Sequence, residues 1–173
     1  EDEAEPFRSP DARAEFIRLW LLRRTDTDPP IESLLPEHYL REYFLPPFIR
    51  AVEQNVQAVM VNSSEINGIP LHASHEMLTK LLREEMNFKG VIVTDWEDVK
   101  KLHNLHKVAP NIKEAVRLSV EAGIDICMAP NDFHFTNNLI QLVREKLVPE
   151  EALDASLLDR TRRHATHEVA RYH

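Results

Sequence analysis

Cysteine occurs once, at Cys127, so no disulfide can close within the chain. Its setting, Ile126-Cys127-Met128, reads as a buried strand and makes the thiol a packing group rather than a reactive one. Glycine occurs three times, and no Gly-rich phosphate loop follows any candidate strand, which argues against nucleotide binding. Positive charge is in deficit: 21 Lys and Arg stand against 29 Asp and Glu, a formal net charge of -8. That balance argues against nucleic acid or an anionic membrane surface as the main partner. Long hydrophobic runs are missing too, and segments such as Val91-Ile92-Val93 are far too short to span a bilayer. The first residues, Glu1-Asp2-Glu3, are acidic where a secretory signal is basic, so no signal peptide is read, and export stays open. No Gly-x-Ser-x-Gly elbow supports a Ser-His-Asp triad.

What is present is an ordinary globular balance, with 43% hydrophobic and 29% charged residues. The 173 residues fit one domain but fall short of a whole (β/α)8 barrel, which takes about 250 residues. Residues 1–33 read as an atypical extension that ends in the linker Thr25-Asp26-Thr27-Asp28-Pro29-Pro30. From Glu37 the pattern becomes regular. Tyr39 to Asn55 is a helix candidate that Pro46-Pro47 should kink or divide, and Val56 to Val61 is a short buried strand. After the turn Asn67-Gly68-Ile69-Pro70, Ser74 caps a helix through Met77, Leu78, Leu81 and Leu82, closed by Lys89-Gly90. Val91 to Thr94 is the next strand, Ile112 to Ala122 a helix with Gly123 as its C′ residue, and Ile124 to Ala129 a third strand. Thr136 caps the following helix, and Pro149 opens a last one. Strand, helix, strand, helix, strand, helix, with short strands apolar on both faces, is the pattern of a parallel α/β sheet. Periodicity alone does not separate part of a barrel from a small doubly wound sheet.

In such sheets the chemistry sits beyond the carboxyl ends of the strands. Three ends carry polar residues: Asn62-Ser63-Ser64-Glu65, Thr94-Asp95-Trp96-Glu97-Asp98 and Pro130-Asn131-Asp132. Asn62, Asp95 and Pro130 should therefore cluster at one rim. Asp95 follows four β-prone residues, and Trp96 beside it offers a flat apolar face suited to sugar C–H surfaces. A fixed carboxylate there can attack an anomeric carbon, or it can cap the following helix. Trp96 can equally be packing. Glu97 and Asp98 can serve as acids, but read first as an acidic first helical turn favoured by the macrodipole. His103 with His106, and His164 with His167, have a spacing that puts each pair on one helix face, but no ligand signature completes a metal site.

These segments together resemble glycoside hydrolase family 3, the β-glucosidase-like enzymes. Leu40-Arg41-Glu42-Tyr43-Phe44-Leu45-Pro46-Pro47-Phe48 is similar to the helix before the family's sixth barrel strand. Val59 to Pro70 resembles that strand and its loop, and Leu78 to Gly90 the next helix and turn. Val91-Ile92-Val93-Thr94-Asp95-Trp96 is similar to the nucleophile motif, with Thr94 where Ser is usual, and Ala122 to Met128 resembles the eighth strand. His106-Lys107-Val108-Ala109-Pro110 is close to a stretch of a bacterial branch. The resemblance covers residues 34–157. It implies part of a (β/α)8 barrel with about three strand–helix units, and retaining hydrolysis of terminal β-linked glucosyl residues. It also implies Asp95 as the nucleophile and sugar contacts from Trp96, Ser63, Glu65 and Asn62. No cofactor and no metal are implied, the ligand is a small carbohydrate, and a periplasmic or extracellular setting fits the family.

The ends depart from it. Members carry a Lys-His pair on an earlier strand, and here Ala14-Glu15-Phe16 stands where Lys-His-Phe is expected. Ser63 stands where many members have Tyr, and residues 158–173 form an atypical basic tail instead of the usual Gly-Leu-Phe ending. A truncated or frame-disrupted reading frame, or a deliberate fragment, accounts for both ends. The expectation is an incomplete chain that is inactive alone. The alternative is a non-catalytic half-barrel that self-associates through its uncovered edges or binds sugar weakly.

Overall fold

The computed structural model describes residues 32–33, 35–129 and 131–150. The atypical extension up to residue 31, Pro130, the helix beyond Pro149 and the basic tail with His164 and His167 lie outside the described residues. After the short strand β1 (Glu32–Ser33) comes a helical rod, α1, made of Glu37–Tyr39, a wide π-helical stretch Leu40–Phe44, and Leu45–Glu53. Pro46-Pro47 does not divide it. The prolines occupy the first turn of Leu45–Glu53, where a missing N–H costs least, and the wide stretch lies just before them. Strand β2 (Ala58–Met60) follows, then the small strands β3 (Glu65–Ile66) and β4 (Ile69–Pro70), a 3-10 turn Leu71–Ala73, and helix α2 (Glu76–Glu85). Strand β5 (Val91–Val93) leads into α3 (Asp98–Asn104), α4 (Ile112–Ala122) and α5 (His134–Arg144).

The sheet is parallel where it was expected to be. β2 pairs with β5 in the register Ala58↔Val91, Val59↔Ile92, Met60↔Val93, and Val93 makes a parallel bridge to Ile126. The expected strand Ile124 to Ala129 thus contracts to a single bridge, although Asp125 N and Ile126 N both donate to Ile92 O. Alternation sends successive side chains to opposite faces. Val61 and Ile92 face the helices and are buried with Leu78, Leu82, Phe88 and Ile124. On the other face Met60 is 55% and Ile126 40% exposed. A second core joins α3, α4 and α5 through Val99, Leu102, Val116 and Leu142.

Two helix ends differ from the sequence expectation. Helix α2 stops at Glu85, and Asn87 (φ 58°) turns the chain, so Lys89-Gly90 is not the stop. Gly90 is instead a point of close approach: a Cβ there would lie 2.3 Å from Gln57 O and 2.6 Å from the Phe88 ring. Thr136 lies inside α5 rather than at its cap, and the His134 N–H is taken by Asp132 Oδ1 at 2.9 Å. Gly123 does close α4, with φ 109°. Arg83 ties the layers, donating to Gly90 O at 2.5 Å and to Asp125, while Asp125 accepts Ile92 N–H at 2.7 Å. No helix among the described residues is long and apolar enough to cross a membrane.

Candidate active site at the strand ends

Because β2 and β5 run parallel, Asn62 and Asp95 leave the sheet at the same end, and Val61 N donates to Val93 O just before them. Asp95 is half-buried. Its Oδ1 accepts the N–H of Trp96 at 2.6 Å. The side chain does not cap α3: the residue preceding that helix is Glu97, in the left-handed region (φ 55°), with no side-chain cap bond. Trp96 is 51% exposed. The loop that carries both residues is anchored to the next strand end, where Met128 N donates to Thr94 Oγ1 at 2.8 Å and Glu97 N donates to Met128 O at 2.9 Å. Thr94 is fully buried, so its hydroxyl is a structural clamp.

Beneath the loop lies a buried polar cluster. Asp98, expected as a solvated first-turn acid, is only 1% exposed. It accepts the Ser63 hydroxyl, lies 2.6 Å from Lys101 Nζ, and has His72 Nε2 at 3.6 Å. Burial is the main reason that the His72 pKa is pushed down to about 4; Asp98 and Asp95 oppose the shift, while His106 and Lys101 add to it. His72 is therefore neutral at pH 7, and its Nε2 has no hydrogen-bond partner among the described residues. Next to it, His106 Nδ1 lies 2.5 Å from Glu65 Oε1, so this histidine serves a carboxylate. His103 Nδ1 meets Ala109 O at 2.9 Å, so the two histidines do not act as a chelating pair. Cys127 is half-buried, and burial pushes its thiol up to about 11, in keeping with a packing role.

Of the residues expected to touch sugar, Asp95 and Trp96 stand at the rim. Ser63 is buried against Asp98, Glu65 is paired with His106, and Asn62 Oδ1 accepts Ser64 N–H at 2.8 Å. A further rim residue carries no signal of its own in the sequence. Lys100 Nζ bonds Glu97 Oε1 at 3.1 Å and also reaches Asp132, linking the two strand-end loops. Asp132 first, then Glu97, raises the Lys100 pKa, and Lys100 in turn is the main cause that holds Asp132 below its ordinary value.

This arrangement has relatives. The model of the glycosyl hydrolase family 3 N terminal domain matches residues 28–162. A lysosomal beta glucosidase of Dictyostelium discoideum is 44% identical over 124 residues, 71% of this chain and 15% of that protein. A β-glucosidase structure from Erythrobacter marinus superposes with TM-score 0.67 at 34% identity, over 72% of this chain and 16% of that one. A Listeria innocua beta-glucosidase, solved with glucose and with laminaribiose, matches with TM-score 0.67 at 30% identity, over 72% of this chain and 17% of its own. The chain thus spans about a sixth of the length of these relatives. With more than half of its residues matched by the family model, the chain belongs to glycoside hydrolase family 3.

Proposed function

We propose that this chain supplies the nucleophile-bearing part of a retaining β-glucosidase, with Asp95 attacking the anomeric carbon of a terminal β-linked glucosyl residue. In this reading residues 34–157 form about three strand–helix units of a (β/α)8 barrel. The observation that carries the reading is Asp95 itself, a half-exposed carboxylate at the carboxyl end of a parallel strand, capping no helix, beside a half-exposed Trp96. The glucose and laminaribiose bound by the Listeria relative support a small β-linked carbohydrate as the ligand. Trp96 offers its face to the sugar. Asn62, Ser63 and Glu65 border the site, and in this arrangement Ser63 and Glu65 act by holding Asp98 and His106.

Retention also needs a second carboxyl group about 5 Å from the first, to protonate the leaving oxygen. Glu65 is engaged by His106, and Asp98 is buried. Glu97 and Asp132 are engaged by Lys100, so among the described residues at these strand ends no acid is left free, and the chain alone should turn over ordinary glucosides at background rate. An activated 2-deoxy-2-fluoro-β-glucoside, whose leaving group needs no acid, should still add one glycosyl mass to the wild-type chain over hours and none to Asp95→Asn. Ordinary monomeric turnover of an aryl β-glucoside, abolished in Asp95→Asn, would overturn the claim of incompleteness.

One observation favours a second reading. The sheet face bearing Met60 and Ile126 is uncovered, and two copies of the chain could hide it. Size-exclusion chromatography separates the readings: a dimer that takes no glycosyl label supports a non-catalytic, self-associating module.

A further inference from the structure

Asn67 has two roles at the tip of the β3–β4 hairpin. With Gly68 it makes the two-residue turn between Ile66 and Ile69, and both take the positive φ that such a turn requires, 52° at Asn67 and 75° at Gly68. Its side chain also clamps the chain that leaves β1. Leu35 N–H donates to Asn67 Oδ1 at 2.8 Å, and Asn67 Nδ2 donates to Leu35 O at 3.0 Å. One carboxamide thus satisfies both backbone groups of a residue 32 positions earlier. The clamp extends the short parallel pairing of β1 with β3, which consists of Glu32↔Glu65 and Ser33↔Ile66. So short a strand is marginal by itself, and the two side-chain bonds supply much of what holds β1 in place.

Asn-Gly is also a chemically reactive pair, because glycine has no side chain to shield its backbone nitrogen. The Gly68 nitrogen can attack Asn67 Cγ and form a C–N bond while the Cγ–Nδ2 bond breaks. Nδ2 leaves as ammonia with the proton that Gly68 N gives up. Water then opens the five-membered succinimide at either carbonyl and leaves aspartate or isoaspartate. Asn67 and Gly68 are both exposed, so water reaches them. While the carboxamide holds Leu35 it is not free to swing towards Gly68 N, and the clamp must open before the ring can close. After conversion Nδ2 is gone, and a carboxylate oxygen faces Leu35 O with no donor between them. Isoaspartate further adds a methylene to the main chain of a turn that fixes the register Ile66↔Ile69.

We propose that Asn67 is a spontaneous deamidation site gated by Leu35: the carboxamide is protected while β1 is docked, and its loss releases β1 irreversibly. This inference is independent of the glycosidase reading of Asp95. Its effect reaches the buried polar cluster, because β3 lies between β1 and β4 and carries Glu65, the partner of His106.

The test follows aspartate and isoaspartate at position 67 by digestion and tandem mass spectrometry while the full chain is held at mildly alkaline pH. The folded wild type should convert about tenfold more slowly than the same chain unfolded in guanidinium, the ratio expected when two ordinary hydrogen bonds must open first. Leu35→Pro removes the N–H that the clamp receives and should bring the folded chain close to the unfolded rate. Asn67→Asp, which is one of the two products, tests the release without depending on that variant. Hydrogen exchange at the Leu35 amide should be about tenfold faster in Asn67→Asp than in the wild type, with exchange at Ile92 unchanged. Conversion of the folded wild type at the unfolded rate would overturn the gate. So would a folded Leu35→Pro that converts as slowly as the wild type. Unchanged protection of Leu35 in Asn67→Asp would overturn the release.

Discussion

Replacing Asp98 tests what holds the loop under the proposed nucleophile. Its carboxylate is 1% exposed and meets three groups from three segments: the Ser63 hydroxyl after β2, His72 in the 3-10 turn, and Lys101 one turn along α3. Asp98→Ala leaves Ser63 and Lys101 without their partner and a hole where the carboxylate stood. Breaking a buried ionic contact from one side costs about 3–5 kcal/mol. Lys101, the more exposed partner, can turn to solvent, which favours the lower end of that range. Ser63→Ala removes one hydrogen bond to a buried acceptor and should cost about 1–3 kcal/mol. Asp98→Asn keeps an oxygen for the Ser63 hydroxyl and should fall between the wild type and Asp98→Ala. Because Ser63 and Asp98 touch, the double variant should be less destabilised than the sum of the singles, by about 0.5–3 kcal/mol. Urea unfolding followed by far-UV circular dichroism reads the wild type and all four variants. An Asp98→Ala cost under about 1 kcal/mol, or additive singles, would refute the view that this cluster anchors the loop.

Three further outcomes follow from the same geometry. Gly90→Ala places a Cβ 2.3 Å from Gln57 O and should cost about 1–3 kcal/mol by forcing β2 and β5 apart, visible as a lower urea midpoint. His72, with its folded pKa pushed down to about 4 from 6.5, gives stability that is present above pH 6.5 and lost as pH falls towards about 4. The unfolded chain binds the proton first across that window, the loss reaches about 3 kcal/mol, and His72→Gln should flatten that part of the urea-midpoint profile between pH 7 and 4.5. Cys127, as the only thiol and with its pKa pushed up to about 11, should react with a disulfide reagent at pH 8 far more slowly than free cysteine does.

Much of the architecture was legible because it depends on local chemistry. Gly123 sits at φ 109°, a conformation that glycine reaches without strain, so the end of α4 could be read directly. Val91-Ile92-Val93 is β-prone on both faces and forms a strand between two neighbours. Gly90 was misread for the opposite reason: it is required by the contact with Gln57, 33 residues earlier, and no local pattern encodes that. Ile124 to Ala129 was read as a full strand, yet it pairs at one bridge only.

The site divides in the same way. Asp95 and Trp96 were visible from the strand end that carries them. Asp98 looked like a helix-start acid because it falls in the first turn after a strand end, whereas its burial against Ser63 and His72 is set by the packing of three segments. His72, between Leu71 and Ala73, carried a faint signal in its apolar setting. Lys100 and Asp132 meet only once the two loops are side by side.

The central claim is that Asp95 is the attacking group, and the most direct measurement is the site of covalent trapping. The full chain is incubated with 2,4-dinitrophenyl 2-deoxy-2-fluoro-β-glucoside, digested, and mapped by tandem mass spectrometry. The account predicts one glycosyl ester, on Asp95, in the peptide spanning Val91 to Trp96. A label on Glu97, Asp98 or Glu65, or no label at all on a folded wild-type chain, would contradict it.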